Sequence, residues 1–420
     1  MRHAYGRIVP SEDVNLTHVE AGSPMGEVLR RHWQPVCLSD DVKDLPRKVR
    51  ILCEDLIVFR TKSGQLGCLE PHCSHRGTSL EYGRVEEGGI RCCYHGWLYA
   101  PDGHVVEMPC EASGTCEKMA IRHPAYPVME FGGLVFVYMG PPNTEPLFPL
   151  YDIIDTRGRD DVVLRGARLW DGHAIGFVSE CNWLQHFENV VDPWHVVILH
   201  QMISGDQFQG AMMMGDAKIE FEETPLGVRY LMSKTLANGN TYIRAAECVV
   251  PNIALIPDIR VTGETVMPET KASEVTWVVP VDNEHCSALS IVAWPARNGA
   301  AIEEWRPGTD TVADIRPGSV WERTYEQRQR KPDDREAQES QRPIAVHALE
   351  NLAGSDKGIA RLRRILREQT RLLSEGRELR NVVRADEKNV RICTHAMNVV
   401  YGAAAAKPRL EAAAADNAAE

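Results

Sequence analysis

The pattern of apolar and polar positions changes character along the chain. Ser-Pro at 23–24 opens a short amphipathic segment, and because Ser caps helices well and Pro suits the first helical position, we expect a helix of about two turns there. From Val49 to Tyr138, short β-rich runs such as RILCEDLIVFR and RCCYHGWLYA are separated by turn signals. These runs predict a small all-β module.

The second part of the chain has a mixed pattern. The Pro-rich segment 140–149 has neither helical nor strand periodicity and predicts a domain boundary. Helical patterns cover about 181–204 and 356–375. Alternating patterns predict strands at 217–222, 227–234, 241–250, 274–280 and 286–295. We therefore expect an α+β chain.

The remaining segments complete the expected organisation. The charged stretch from Arg306 to Arg342 has no apolar stripe and predicts a long loop or lid. The expected domains are 35–145 and 150–405, with residues 1–34 packing on one of them. Residues 406–420 are low in complexity and predict a frayed tail.

Composition excludes several classes of protein. The 420 residues carry a net charge of -12, with 43% hydrophobic positions, and so provide no basic surface for nucleic acid. The apolar runs are far shorter than the ~18 residues of a membrane span. The N-terminus lacks the apolar region of a secretory signal, which predicts a cytoplasmic protein with reduced thiols. In that compartment the 12 cysteines are expected to be buried side chains, metal ligands or catalytic groups.

The first candidate site combines two short motifs. Cys73-x-His75 is followed, after 16 residues, by Cys92-x-x-His95. Two thiolates and two imidazoles would also bind a structural zinc ion. However, each motif supplies one Cys and one His, whereas zinc sites usually take close Cys pairs from one loop. The mixed motifs favour a Rieske [2Fe-2S] cluster, in which both Cys bind one iron and both His bind the other.

The second candidate site is the run CNWLQHFENVVDPWHVVILH. It carries Asn189, Asp192, His195 and His200. Asp192-Pro193 is a helix-start signal, so we expect two helices that meet at Asp192. His195 and His200 are five residues apart, about 140° around an α-helix, and need a bend or a loosened turn to face one ion. Two His and one distant carboxylate form the usual ligand set of non-heme Fe(II) that activates O2. We expect His173 and His186 to be structural.

Both motifs resemble one family. CSHRG followed by CCYHGW resembles the Rieske domain of the Rieske non-heme iron oxygenases, and the D-x2-H-x4-H spacing from Asp192 to His200 resembles their iron site. ENLAGSDKGIARLRRIL resembles the C-terminal helix of the phthalate-dioxygenase-like branch. The resemblance extends from about Thr17 to Leu373. It implies a Rieske domain followed by a helix-grip (START-like) catalytic domain with an antiparallel sheet, assembled as a homotrimer.

The resemblance also implies roles for further residues. The third iron ligand of the family is a distant Asp, and aligning the family pattern on PDDREAQESQ places Asp334 there, with Asp333 as the second choice. Asp192 resembles the acidic residue that relays electrons to the iron from the cluster of a neighbouring subunit, although it is also explained as a helix cap. Asn189, in the same run, is a further catalytic candidate.

The implied function is that of a terminal oxygenase component. The chain has no GxGxxG loop after a strand, so an NAD(P)H-dependent reductase or ferredoxin is expected to supply electrons. The expected reaction uses O2 to oxidise an aromatic acid or aryl ether by ring dihydroxylation or O-demethylation. An aromatic carboxylate needs a basic anchor, for which Arg229, Arg244 and Arg260 are candidates unless each is engaged in a salt bridge. The alternatives are an iron-sulfur electron-transfer protein and a zinc-stabilised protein that binds an apolar ligand.

Overall fold

A computed structural model describes residues 6, 8–168, 178–205, 210–211, 217–305, 323–384 and 391–403. His173 and the tail at 406–420 lie outside these residues. Within the described ranges, no helix is long and apolar enough to cross a membrane.

The N-terminal part consists of small antiparallel sheets. Its strands are β1 Gln34–Leu38, β2 Arg47–Ile51, β3 Glu54–Arg60, β4 Leu66–Leu69, β5 Arg84–Val85, β6 Ile90–Arg91, β7 Leu98–Tyr99, β8 Val105–Glu107, β9 Val128–Phe131 and β10 Leu134–Val137. The strand orders are β1-β10-β9, β2-β3-β4 and β5-β6-β7-β8. The β-rich character predicted for this part is confirmed, with one short helix added at Thr115–Met119.

The strands beyond the Pro-rich segment form one large antiparallel sheet. They are β11 Val162–Arg168, β12 Lys218–Glu223, β13 Gly227–Thr235, β14 Thr241–Val249, β15 Ile253–Leu255, β16 Met267–Lys271, β17 Glu274–Pro280, β18 Cys286–Arg297, β19 Ala300–Ala301 and β20 Met397–Tyr401. The order is β11-β18-β17-β15-β14-β13-β12, and β20 pairs with both β14 and β16. The predicted strands are confirmed with small shifts at their ends, whereas β11, β15, β16, β19 and β20 were not predicted.

The helices are short except for one. They are α1 Val14–Thr17, α2 Pro24–Arg30, α3 Thr115–Met119, α4 Trp183–Asn189, α5 Pro193–His195, α6 Tyr325–Arg330, α7 Asp334–Glu339 and α8 Lys357–Ser374. A π-helix at Val196–Ile203 continues α5. The expected helix after Ser23 is confirmed as α2, whose N-cap hydroxyl accepts from the Gly26 N–H at 3.2 Å. The predicted long helix is confirmed as α8.

The helices α4 and α8 cover one face of the large sheet. Leu362, Ile365 and Leu366 of α8 are fully buried, and α8 packs on β12 and β13. Helix α4 packs on β17 and β18, and Arg363 of α8 forms an ion pair with Glu188 of α4. The N-terminal helices α1 and α2 in turn pack against α8. This arrangement places the run that contains the candidate iron ligands over the sheet.

A close backbone approach joins the N-terminal sheets to the large sheet. Gly133, in the turn between β9 and β10, has φ +82°, and a Cβ built there would lie 2.5 Å from the backbone nitrogen of Gly166 in β11. A residue without a side chain is needed at such a contact. The two parts of the chain therefore pack directly against each other.

The predicted loop between Arg306 and Arg342 is wrong in its second half. Residues 306–322 lie outside the described residues, but α6 and α7 occupy much of 323–342. Both helices are short and begin with capping boxes, from Thr324 and from Asp333. The helices are supported by these capping boxes and by buried polar side chains such as Gln338. Caps and buried polar residues leave no apolar stripe in the sequence, so the pattern did not predict either helix.

Candidate functional site

The first candidate site lies at the tips of two loops in the N-terminal part. Cys73 and His75 follow β4, and Cys92 and His95 follow β6. Both cysteines are buried, and the ring centroids of the two imidazoles lie 4.5 Å apart. The structure therefore brings the predicted cluster ligands together.

The two loops have the same backbone geometry. The N–H of Gly77 donates to the Cys73 carbonyl at 2.8 Å, and the N–H of Gly96 donates to the Cys92 carbonyl at 3.1 Å. Both glycines have positive φ, +75° and +73°, which other residues adopt at a cost. The repeated turn presents one Cys and one His from each loop toward a common space.

The side chains around this space fit a metal cluster. His75 Nδ1 is buried and has no hydrogen-bond partner within the described residues, and its ring stacks on Trp97 with centroids 4.8 Å apart. A buried polar atom without a partner is rare in proteins, and a metal ion would use its lone pair. The hydroxyl of Tyr99 lies 3.0 Å from Cys73 Sγ, and burial together with this contact raises the pKa of Tyr99. The neutral hydroxyl can therefore donate to a thiolate.

A π-helix allows His195 and His200, which are five residues apart, to face the same side of the second site. His195 ends α5 and His200 lies within Val196–Ile203, where hydrogen bonds join residues five apart rather than four. The wider turn places both imidazoles on one side, with ring centroids 5.6 Å apart. The loosened turn expected from the sequence is thus a π-helix, a form that is frequent at functional sites.

Asp334 completes this group from another element. It begins α7, and its Oδ1 and Oδ2 lie 3.4 Å from His195 Nε2 and 3.3 Å from His200 Nε2. One ligand atom from each of the three residues lies within 4.8 Å of the other two. Burial would raise the pKa of Asp334, but the two imidazoles and an amide N–H from Asn189 at 3.1 Å hold it well below its usual range. An anionic carboxylate and two imidazoles fit a divalent iron ion.

Asp192 caps the helix that carries His195. Its Oδ1 accepts from the Trp194 N–H at 3.1 Å and from the His195 N–H at 3.4 Å, so the expected helix cap is present. The Asp192 side chain does not hydrogen-bond to the His195 ring, because Oδ2 remains 4.0 Å from Nδ1. The main-chain carbonyl of Asp192 contacts that nitrogen instead. This contact fixes the ring with Nε2 directed at Asp334.

The second choice for the third ligand is engaged elsewhere. The side chain of Asp333 caps α7 through the Arg335 N–H at 3.0 Å and accepts from Arg323 at 2.9 Å. Burial, followed by the neighbouring Glu336, raises the pKa of Asp333 to about 7. Asp333 therefore supports α7, while Asp334 faces the histidines.

A cavity of about 530 Å³ lies beside the second site, with Asp192, His195 and Asp334 in its lining. His186 points into the packing between α4 and α7, where Nδ1 pairs with Gln338 Oε1 at 2.9 Å and burial lowers the imidazole pKa. These contacts agree with the structural role expected for His186.

The three candidate arginine anchors have different surroundings. Arg229 pairs with Glu222 across the β12–β13 ladder at 2.7 Å. Arg260 lies outside the strands, is exposed, and pairs with Asp258 at 2.9 Å. Arg244 is buried in β14 and bonds to neutral groups. Of the three, only Arg244 forms no salt bridge within the described residues.

Comparisons with known proteins agree on one family. The Rieske [2Fe-2S] domain model matches residues 32–127. The chain is 41% identical to the phenoxybenzoate dioxygenase subunit alpha of Ectopseudomonas oleovorans, over 89% of this chain and 88% of that protein. The chain is a Rieske non-heme iron oxygenase. As an oxygenase subunit of this family it is an enzyme, and its cofactors are a Rieske [2Fe-2S] cluster and mononuclear iron.

Other relatives of this Rieske oxygenase differ in the reactions for which they are named. It is 36% identical to the oxygenase subunit of the tert-butanol monooxygenase / tert-amyl alcohol desaturase of Aquincola tertiaricarbonis, over 86% of this chain and 77% of that protein. It is 30% identical to the phthalate 4,5-dioxygenase oxygenase subunit of Pseudomonas putida, over 86% and 85%. A crystal structure of dicamba monooxygenase bound to dicamba covers 82% of this chain and 98% of that one, with TM-score 0.57 and 16% identity, which supports the fold.

These findings confirm the family, the oxygenase activity, the cofactors and the α+β fold predicted from the sequence. They exclude the electron-transfer and zinc-stabilised alternatives as the main function. Sequence reasoning missed Trp97 and Tyr99, which touch the cluster loops, although both lie in the run that contains Cys92.

Proposed function

We propose that His195, His200 and Asp334 bind the mononuclear Fe(II) of this oxygenase. The observation that carries the proposal is the convergence of one ligand atom from each residue within 4.8 Å. Three protein ligands leave coordination positions open for O2. Asn189 positions Asp334 through its amide, and the carbonyl of Asp192 orients His195.

Cys73 and Cys92 are proposed to bind one iron of the Rieske cluster, and His75 and His95 the other. The buried, unpartnered Nδ1 of His75 supports this assignment. When bound, the cluster supplies single electrons and the mononuclear iron activates O2. The buried ring of Trp97 stacks on His75, and the Tyr99 hydroxyl would donate a hydrogen bond to the Cys73 thiolate.

We propose the domains as predicted, with the Rieske domain at 35–145 and the catalytic domain at 150–405. The N-terminal helices α1 and α2 pack against α8 of the catalytic domain.

The proposed assembly is a homotrimer in which electrons cross between subunits. Apolar side chains are exposed near both centres, on the iron-binding helix at Ile198 (47%), Met202 (68%) and Ile203 (58%), and on the cluster loop at Tyr94 (58%). Such patches are typical of protein interfaces. Asp192 lies beside these side chains. Its Oδ1 makes the helix cap, so its Oδ2 could accept a hydrogen bond from a cluster histidine of a second subunit.

The electron donor is proposed to be an NAD(P)H-dependent reductase, directly or through a ferredoxin. The proposed substrate is an aromatic acid or aryl ether, oxidised by dihydroxylation or O-demethylation. The relative named for phenoxybenzoate supports both features, because that compound is an aromatic acid and an aryl ether. A cytoplasmic location stays a prediction.

Metal analysis tests these assignments. The anaerobically purified protein should contain about three irons and two sulfides per chain and give a reduced Rieske EPR signal. His200→Ala should reduce iron to about two per chain while the EPR signal remains, and Cys92→Ala should abolish the signal. Retention of about three irons in His200→Ala would remove the support for the proposed iron site. Oxygen uptake with phenoxybenzoate, compared with tert-butanol, then tests the substrate class.

A further inference from the structure

A buried histidine lies behind the first cluster loop. The side chain of His123, in the segment between α3 and β9, is fully buried. Its Nε2 lies 2.7 Å from the main-chain carbonyl of Glu70, directly after β4, and its Nδ1 lies 2.7 Å from the hydroxyl of Ser74. Ser74 stands between Cys73 and His75, the two proposed cluster ligands of this loop. The imidazole is therefore bound to the loop that carries them.

The partners of His123 determine which of its nitrogens donates. A carbonyl oxygen only accepts hydrogen bonds, so Nε2 donates to Glu70. In the neutral ring Nδ1 then carries the lone pair, and it accepts from the Ser74 hydroxyl. The Glu70 carboxylate is farther away, with Oε2 3.9 Å from Nε2. Both ring nitrogens are therefore engaged, and one of them holds Ser74.

The main chain around His123 is also fixed by close contacts. Its N–H donates to the Gly103 carbonyl at 2.7 Å, and the Pro124 carbonyl accepts from the Glu70 N–H at 3.0 Å. Gly103 has φ +81°, and a Cβ built there would lie 2.0 Å from the carbonyl oxygen of His123. Such an approach needs a residue without a side chain. The imidazole therefore extends from a fixed backbone toward the loop.

Ser74 and His123 both contact Tyr99, whose hydroxyl lies 3.0 Å from Cys73 Sγ. Burial and the Cys73 contact raise the pKa of Tyr99, while a hydrogen bond from the main-chain N–H of Ser74 partly offsets the rise. An N–H that meets the phenol oxygen occupies a lone pair and leaves the O–H to point at the sulfur. The rings of Tyr99 and His123 pack with centroids 4.9 Å apart. The imidazole thus supports the phenol through Ser74 and by direct ring contact.

Hydrogen bonds to the sulfur ligands of an iron-sulfur cluster help to set its reduction potential. An added electron increases the negative charge on the sulfur, so a donor at the sulfur stabilises the reduced form more than the oxidised form. The donor must point at the sulfur, because hydrogen bonds weaken steeply with misalignment. A residue that fixes the Tyr99 hydroxyl therefore influences how readily the cluster accepts an electron.

We propose that His123 is a positioning residue that raises the reduction potential of the Rieske cluster. It acts through Ser74 and Tyr99, which direct the phenol O–H at Cys73. The inference rests on the proposed cluster ligands and goes beyond them, because His123 belongs to neither ligand loop. It lies well after His95 in the chain, so no local spacing connects it with the cluster motifs.

Redox titration of the purified holoenzyme, followed by the visible and EPR signals of the cluster, tests this role. The measured quantity is the ratio of reduced to oxidised cluster at the potential where half of the wild-type clusters are reduced. His123→Phe should lower this ratio by about tenfold, which is about 59 mV for a one-electron couple. Phe keeps a ring beside Tyr99 but removes both hydrogen bonds. Tyr99→Phe, which removes the hydroxyl itself, should lower the ratio at least as much.

A double-mutant cycle separates action through Tyr99 from any other effect of the histidine. In the Tyr99→Phe background, His123→Phe should change the ratio no further. Conservative variants then identify the nitrogen that matters. His123→Asn should keep more of the wild-type ratio than His123→Gln, because an Asn amide replaces Nδ1 and reaches Ser74, whereas a Gln amide replaces Nε2 and reaches Glu70.

The matched control pairs Ser74→Ala with Ser79→Ala. Ser79 follows the same loop, and its hydroxyl accepts from the Glu81 N–H at 3.2 Å. Ser74→Ala should lower the ratio by about threefold or more, and Ser79→Ala should leave it at the wild-type value. The proposal is overturned if His123→Phe and Ser74→Ala both keep the wild-type ratio, if Ser79→Ala lowers it equally, or if the effects of His123→Phe and Tyr99→Phe are additive. Cluster content and melting temperature identify a variant that fails to fold, and Ser74→Ala then decides by the same ratio.

Failure of this inference differs from failure of the proposed cluster ligands. If Cys92→Ala keeps the Rieske EPR signal, the ligand assignment is wrong. If Cys92→Ala loses the signal but the His123 and Ser74 variants keep the wild-type ratio, the ligand assignment stands and the positioning role of His123 is wrong.

Discussion

The amide of Asn189 should contribute measurably to iron binding. Its Nδ2 donates to Asp334 Oδ1 at 3.1 Å, in a site where the Asp334 side chain is 13% exposed. A hydrogen bond to a charged group contributes about 1.5–3 kcal/mol, and each 1.4 kcal/mol is a factor of about ten in affinity. Asn189→Ala should therefore weaken Fe(II) binding by about 10- to 100-fold, which matches the usual cost of losing a residue that supports a metal ligand.

The assay is an anaerobic competition between the protein and a chromophoric Fe(II) chelator. Asn182→Ala is the control, because Asn182 is a buried asparagine that caps the same helix and donates to the carbonyls of Thr17 and Asn283. It should lower the melting temperature and leave the Fe(II) affinity unchanged. The Rieske EPR signal per chain should be equal in both variants. Wild-type affinity in Asn189→Ala, or an equal loss in Asn182→Ala, would refute the reasoning.

Other changes should separate stability from function. Asp192→Asn should keep both the helix cap and the iron, since Asn caps as well as Asp, but should slow turnover if the carboxylate relays electrons; turnover at the wild-type rate would contradict the relay. Asp192→Ala should cost about 1 kcal/mol in chemical denaturation. Gly133→Ala should lower the melting temperature more than Gly64→Ala, because both have positive φ but only Gly133 would meet the Gly166 backbone; equal losses would argue against the close contact. Chelation of the mononuclear iron should lower the melting temperature and leave the visible cluster spectrum intact.

The residues of the candidate iron site could be selected from the sequence, but their geometry could not be predicted. His195 and His200 are separated by a spacing that an α-helix places about 140° apart, so the sequence indicated only that some distortion was needed. The form of the distortion is fixed by contacts distant in sequence, such as that of His200 with Asp334, and no local propensity encodes it. Asp334 lies far along the chain from both histidines, so no local spacing connects it with them. It was therefore identified only by resemblance to the family pattern.

Polar contacts that cross the fold were the least predictable features. The role of Asp192 as a helix cap follows from its place before Pro193, but its carbonyl contact with the His195 ring depends on the backbone path. Lys234 belongs to a strand that the sequence predicted correctly, yet its hydrogen bond to the Ala211 carbonyl forms only when β13 and the segment near Ala211 are brought together. Short strands such as β20 have too weak a local pattern and form through pairing with distant residues.

The π-helix at Val196–Ile203 would link metal binding to assembly in the proposed enzyme. His200 lies on its buried side, while Ile198, Met202 and Ile203 are exposed on the other. Because a π-helix has poorer hydrogen-bond geometry than an α-helix, its persistence depends on contacts made by its side chains. At the proposed iron site, bound metal would stabilise the inner side, and in the proposed trimer a second subunit would cover the outer side. Iron binding and subunit association would then be thermodynamically coupled. Bound iron would raise the affinity between subunits, and association would raise the affinity for iron by the same factor.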